Sequence, residues 1–326
     1  MPEMTPPKIS VCLCTYNGEK YLREQIDSIL NQTYTNIELI ICDDKSTDNT
    51  VNILEEYKKQ PGVFIYLNKN NLGYTSNFEK AISLATGDYI ALADQDDIWL
   101  PQKLEILSEG IGNYLLIYSD SEYIDKTGKP LGKYLSNNKA FVKGKFPLAF
   151  LFDNCISGHT VMFKKEIVSK ITPFPKKFFH DWWLGFTASA MGSITFVDQP
   201  LVYYRFHEHN VTDLLGGRDT PKDKGSREAF RKSKIHSKLS QTETILQFPF
   251  LTNTDRQAIK KIEEGYQERL QSWFFSFKLF NALYSRRQEL YLFKKSKGLS
   301  LWVHIFKESL GEKLKDLFYK WKNKLV

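Results

Sequence analysis

The chain has 326 residues, enough for a large core and one catalytic-size domain with an appendage. Its net charge of +7 is unevenly placed: Thr220 to Val326 holds 23 Lys and Arg against 11 Asp and Glu, and the first 219 residues hold 22 against 27. Four cysteines without CxxC spacing indicate neither a zinc nor a dithiol redox site, Met1 to Lys8 has no signal-peptide stretch, and no run of about 18 apolar residues, the length that would span a bilayer, occurs.

Ile9 to Cys14 reads as a first strand, closed by the turn Thr15-Tyr16-Asn17-Gly18. Leu22, Ile26, Ile29 and Leu30 then recur at helical spacing. Ile37 to Cys42 is a second strand, ending in Asp43-Asp44-Lys45-Ser46-Thr47-Asp48, where Ser46 or Thr47 caps a helix to about Lys59. Val63 to Leu67 is a third strand, Asn68 to Thr75 a polar loop, and Asn77 to Ala85 a helix. Tyr89 to Ala93 is a fourth strand that runs into Asp94-Gln95-Asp96-Asp97. Such alternation predicts an α/β fold with a mainly parallel, Rossmann-like sheet flanked by helices. Cys12, Cys14 and Cys42 fall inside its strands as buried thiols, which suits a reducing cytosol.

In parallel sheets ligands bind beyond the carboxyl ends of the strands. The polar turns at residues 15–17, 43–44 and 94–97 all fall there. Asp94 and Asp96 leave an extended chain on one face, and paired carboxylates suit a hard divalent cation, Mn²⁺ or Mg²⁺. No GxGxxG follows the first strand and no GxxxxGK[ST] occurs, which disfavours a dinucleotide enzyme or a P-loop NTPase.

Cys14-Thr15-Tyr16-Asn17, Asp43 to Thr50, Asn71-Leu72-Gly73 and Asp94-Gln95-Asp96-Asp97-Ile98-Trp99, in this order, resemble the motifs of family 2 glycosyltransferases with a GT-A fold. The last of these, with Leu100-Pro101-Gln102-Lys103-Leu104 behind it, is most similar to bacterial rhamnosyltransferases. The resemblance spans roughly residues 8–215 and implies roles. Thr15, Tyr16, Asn17, Asn71 and Gln95 would line the nucleotide sugar, Asp43 would read the pyrimidine with Asp44 in support, and Asp94 would sit by the ribose. Asp96 would bind the metal. The donor would be a UDP- or dTDP-sugar, with dTDP-L-rhamnose suggested by resemblance alone.

Leu115 to Asp120 reads as another strand and Tyr123 to Lys145 as a mobile polar loop. The turn Ser157-Gly158-His159-Thr160 resembles the family's acceptor side. In His180-Asp181-Trp182-Trp183 the resemblance makes Asp181 the catalytic base of an inverting transfer. The two Trp beside it form a flat platform for a sugar ring, and Asp181 doubles as a helix N-cap. Asp97, Trp99, His159 and His180 complete the expected acceptor side. Ile194 to Val197 and Leu201 to Arg205 read as two short strands. Tyr204-Arg205-Phe206-His207 resembles the family's closing segment, with His207 at the metal and Arg205 at the diphosphate.

The expected layout is a catalytic domain at 1–215, with halves at about 8–120 and 121–215, a linker at 216–230 and a basic helical region at 231–326. Trp302, Ile305, Phe306, Leu310, Leu314, Leu317, Phe318, Trp321 and Leu325 predict one amphipathic helix with lysines around it. Its apolar stripe suits an anionic membrane surface; packing on the catalytic domain or on a second copy, as a homodimer, is the alternative. The resemblance implies a glycan or lipid-linked glycan acceptor at the inner face of a bacterial plasma membrane. Nucleic acid is disfavoured, because the aromatics align along a helix instead of marking a recognition motif. The competing function is a non-catalytic GT-A module that binds a nucleotide sugar.

Overall fold

A computed structural model of the protein describes residues 6–206, 224–295, 297–311 and 314. The chain divides into two compact units: Met1–Lys145 with Asn154–Asn210, and Phe146–Asp153 with Val211–Val326.

In the first unit, β1 (Ile9–Thr15), α1 (Leu22–Leu30), β2 (Ile37–Asp43), α2 (Thr50–Tyr57), β3 (Val63–Leu67), α3 (Tyr74–Leu84) and β4 (Tyr89–Ala93) follow one another. Strands β3, β2, β1 and β4 lie side by side and parallel. All seven residues of β1 are buried, as expected of a strand covered on both faces. Leu22, Ile26 and Ile29 of α1 and Ile53 and Leu54 of α2 pack into this core. The helix after β2 starts at Thr50 with Asn49 as N-cap, not at Ser46 or Thr47, because Ser46 is drawn back to bond Asp43.

Beyond β4 come β5 (Ile98–Trp99), α4 (Lys103–Ile111), β6 (Leu116–Ile124), β7 (Pro130–Tyr134), β8 (Val161–Lys164), α5 (Val168–Ile171), α6 (His180–Met191) and β9 (Ile194–Arg205). The sheet order is β3-β2-β1-β4-β8-β6-β9-β5, with β7 paired to β6. Strand β8 enters antiparallel between β4 and β6, so the sheet is mixed. Two expectations are corrected. The two short strands at 194–205 are one strand, since β9 follows β6 in parallel through two register shifts. Residues 123–145 are not all loop, because β6 continues to Ile124 and β7 folds back on it.

The second unit is helical: α7 (Lys224–Leu246), α8 (Asn253–Gln271), α9 (Phe277–Ser285), α10 (Arg287–Leu290) and α11 (Leu299–Ser309). The linker expected at 216–230 thus gives way to helix by Lys224, and its earlier part lies outside the described residues. The amphipathic helix does not run on unbroken from Trp302. It stops at Ser309, where Leu310 pairs with Phe275 and the Gly311 N–H donates to Phe274 O. A Cβ on Gly311 would lie 2.5 Å from Ser272 O, so only glycine allows this approach. Most of the expected helix beyond it lies outside the described residues.

Candidate active site

The carboxyl-end loops of β1, β2, β3 and β4 are sewn together by their own side chains. Thr15 Oγ1 donates to Asp43 Oδ1 at 2.9 Å, across a register pair of β1 and β2. The Ser46 N–H donates to Asp43 Oδ2 at 2.9 Å. Asn17, in the left-handed region at φ 51°, receives the Thr47 N–H on its Oδ1 and gives its own N–H to Ser46 Oγ. Asp44 accepts the N–H groups of Leu72 and Gly73 at 2.7 and 2.9 Å, and Asn71 Nδ2 reaches the Asp44 carbonyl. Gln95 clasps the Tyr16 backbone by both its N–H and its carbonyl. Asp43 and Asp44 are buried, and Tyr16 presents an exposed ring at this edge, 48% accessible.

The acidic run leaves β4 and is pinned at its far end by β5 on β9. Arg205, expected at a diphosphate, is buried at 2% exposure and holds this run instead. Its N–H donates to Asp97 Oδ1, its Nε to the Asp96 carbonyl, and its guanidinium pairs with Glu24 over the Tyr21 ring.

Asp94, Asp97 and His159 bring one ligand atom each within 4.8 Å of one another. His159 Nδ1 lies 3.9 Å from Asp94 Oδ2 and 4.0 Å from Asp97 Oδ2. The imidazole stacks on Tyr204 at 4.5 Å, with Ser121 Oγ at Nε2 and Ser157 Oγ at Nδ1. Burial, then the nearby Lys103 cation, hold His159 neutral, with its pKa down at about 3. Asp97 is fully buried, and its Oδ2 has no hydrogen-bond partner among the described residues. Burial pushes its carboxyl well up, and the charges of Asp96 and Asp94 add to that. Asp94, with 37% of its side chain accessible, is pushed up to about 7, by burial first and then by Asp96 and Asp181.

An orphaned buried carboxylate oxygen, a crowd of acids and a neutral imidazole fit a hard divalent cation such as Mn²⁺ or Mg²⁺. The sequence placed Asp96 and His207 as ligands. The structure gathers Asp94, Asp97 and His159, with the charge of Asp96 acting on both acids. His207 lies outside the described residues.

Asp181 sits in the first turn of α6, two residues past its N-cap Phe179, so it is not itself the cap. Burial raises its pKa to about 6, against backbone N–H donors from Trp182 and Gly158. Its charge reaches Asp94 and Tyr74. His180 is a buried ring stacked on Phe78 at 4.3 Å, and neither nitrogen has a hydrogen-bond partner among the described residues. Gly158 is needed beside it, since a Cβ there would lie 2.8 Å from His180 Nε2. The expected two-Trp platform is corrected. Trp183 is 6% exposed and packs between Phe178 and Phe186, leaving Trp182 as the half-buried ring. Trp99 is also interior at 2% exposure, with Lys103 Nζ 3.2 Å from its ring centroid, so it offers no face to a sugar.

Sequence reasoning missed Lys103 as a site residue. Its buried amine donates to the His159 carbonyl at 2.7 Å, which ties the start of α4 to the histidine turn, and burial holds its pKa well below the usual lysine value. The signal was there: Lys103 shares the buried helix face of Leu107 and Ile111 at four-residue steps. Ser121 and the Gly158 N–H left no such trace.

A mixed sheet with its acids, imidazole and exposed aromatic ring at the carboxyl edge is the GT-A arrangement of a nucleotide-sugar transferase. The family model described as Glycosyl transferase family 2 matches residues 10–172. An uncharacterized glycosyltransferase of Rickettsia typhi is 30% identical over 215 residues, covering 64% of this chain and 66% of that protein. A dTDP-rhamnosyl transferase of Shigella flexneri, RfbG, is 30% identical over 220 residues, covering 61% of this chain and 72% of that protein. The crystal structure of S. aureus TarS 1-349 in complex with UDP-GlcNAc shares the fold, with a TM-score of 0.56 and 19% identity over 87% of this chain and 81% of that one. The chain belongs to glycosyl transferase family 2. It spans just under two thirds of the length of the Rickettsia relative.

Proposed function

We propose that the protein is an inverting glycosyltransferase that moves a sugar from a UDP- or dTDP-sugar to a hydroxyl of a surface polysaccharide or lipid-linked glycan. The observation that carries this reading is the gathering of Asp94, Asp97 and His159 within 4.8 Å, with the charge of Asp181 reaching the same cluster. Thr15, Tyr16, Asn17, Asn71 and Gln95 frame the donor's nucleotide, with Asp43 and Asp44 fixing their loops. Asp94, Asp96 and Asp97 with His159 would hold Mn²⁺ or Mg²⁺. When bound, that cation neutralises the departing nucleoside diphosphate. Asp181 takes the proton from the acceptor hydroxyl as its oxygen forms the bond to the anomeric carbon. A pKa near 6 leaves the group ionised at neutral pH yet basic enough to accept that proton. Trp182 offers the acceptor its ring surface. A dTDP-L-rhamnose donor is supported by the likeness to the Shigella enzyme. UDP-sugars are supported by the ligand in the TarS crystal structure. The basic second unit supports a peripheral position at the inner face of a bacterial plasma membrane.

The test is a donor screen, UDP- and dTDP-sugars with and without Mn²⁺ or Mg²⁺, reading nucleoside diphosphate release. Metal-dependent release from one donor supports the reading. Donor binding without release under every condition would leave a non-catalytic binding module in its place.

A further inference from the structure

Six rings run unbroken over one surface of the second unit. Phe277 meets Phe275 at 4.9 Å, and Phe275 meets Phe306 at 5.2 Å. Phe306 stacks on Trp302 at 5.1 Å, Trp302 meets Phe280 at 6.2 Å, and Phe280 stacks on Tyr284 at 5.6 Å. In a core such a row would be covered. Here Phe277 is 70% exposed and Trp302 40%. The α8–α9 connection adds Trp273 and Phe274, at 60% and 58%.

The exposure is built into the chain. Ser272 Oγ donates to the Phe275 carbonyl and accepts the Phe275 N–H. Ser276 caps α9 by accepting the Leu279 N–H and donates to the Gly265 carbonyl. The Gly311 N–H closes on Phe274 O. A loop braced at both ends thus holds its aromatic residues outward. Contiguous apolar patches of this kind mark binding surfaces.

The rim of the patch says what covers it. From Ser272 to Gly311 the chain has seven Lys and Arg and two Glu. Both Glu are already paired, Glu289 with Arg286 and Glu308 with Lys238 and Arg269. Lys278 and Lys307 are exposed next in sequence to Phe277 and Phe306. Arg287 lies over the Tyr284 ring at 4.1 Å. A second copy of the chain would cover the rings but set two basic rims against each other. An anionic bilayer accepts the rings at its headgroup boundary and the cations at its surface. Among the described residues no helix is long and apolar enough to cross a membrane, so the contact is interfacial.

We infer that the ridge from Trp273 to Tyr284, with Trp302 and Phe306, is the face by which this protein docks on an anionic membrane. The inference rests on the peripheral reading above and gives it a surface. The test is sedimentation of the full chain with phosphatidylcholine vesicles, with and without phosphatidylglycerol. The wild type binds the anionic vesicles, and the variant with Trp273→Ala, Phe274→Ala and Phe277→Ala binds them about tenfold or more weakly. Lys278→Glu with Lys307→Glu weakens binding about tenfold and flattens its salt dependence, a second reading that spares the rings. Phe64→Ala, an exposed ring of the first unit, binds as wild type. If both ridge variants bind like the wild type, the ridge is overturned and the peripheral reading survives. If the wild type ignores anionic vesicles, both fall. A wild-type dimer that the triple variant splits into monomers, seen by light scattering without vesicle binding, assigns the face to a second copy and overturns the inference.

Discussion

Glu38 and Asp97 are buried carboxylates at opposite edges of the same sheet, and the fold treats them in opposite ways. Glu38, at the amino edge, is ringed by donors. Lys8 Nζ, Ser10 Oγ and the N–H and hydroxyl of Thr86 all point at its two oxygens. Burial alone would raise its pKa, but those donors outweigh it and bring the carboxyl down to about 2. Asp97, at the carboxyl edge, is ringed by acids. It accepts the Arg205 N–H on one oxygen, has no hydrogen-bond partner on the other among the described residues, and is pushed well above the usual carboxylate range. A buried acid among donors is complete within the chain. A buried acid among acids must keep its proton or meet a cation from outside, and that contrast separates scaffold from candidate site more sharply than burial does.

The largest way to sharpen the contrast is at the proposed base. Asp181→Asn lowers turnover about a thousandfold while donor binding is retained, read by single-turnover kinetics and donor titration. Its pKa is raised to about 6, so the proton stays on below that pH and the base is lost. Wild-type turnover therefore falls as pH drops through about 6, and the residual Asn rate loses that acid limb. Next comes Asp97→Asn, which weakens Mn²⁺ binding about a hundredfold in a direct titration. Thermal unfolding of the metal-free protein is not lowered, because the change relieves repulsion among three acids. Lys103→Met comes third. It frees the His159 carbonyl and costs about tenfold in Mn²⁺ affinity, with Lys103→Arg recovering part of it. Unchanged Mn²⁺ affinity in Lys103→Met would show that the lysine only fills space.

Much of the fold was legible because parallel strands covered on both faces read as near-continuous apolar runs, as Ile9 to Cys14 and Ile37 to Cys42 do. The acids at strand ends were legible because their order along the chain matched one edge of one sheet. What stayed hidden was partner choice. Nothing in the apolar spacing marked Val161–Lys164 as a strand, still less one that enters antiparallel between β4 and β6. Trp182 and Trp183 look alike in sequence, yet helix α6 turns one of them into the core. Arg205 carries a charge that suits a phosphate, and the fold engages it with a backbone carbonyl and Glu24. Sequence names a residue's chemistry. Which neighbour takes up that chemistry is decided by tertiary packing, so His159 emerged as a cluster member only once β6, β9 and its own turn were placed around it.

The smallest effect expected is also the one that would break the contrast. Glu38→Gln should leave Mn²⁺ affinity and turnover unchanged while lowering stability by about 2 kcal/mol at neutral pH. The figure is modest because Lys8 keeps 38% of its side chain in solvent, which screens the ion pair and leaves the Ser10 and Thr86 bonds to supply most of it. The sign of the pH dependence follows from the depressed pKa. In the unfolded chain the carboxyl titrates near its ordinary 4.5, and in the fold it holds its charge to about 2. Its contribution is therefore complete above about 4.5 and drains away as pH falls toward about 2. Urea unfolding of wild type and Glu38→Gln across that range should show the two curves converging as acid is added. If Glu38→Gln instead lost metal binding and kept its stability, the amino edge would belong to the site, and counting donors around a buried acid would no longer tell one edge from the other.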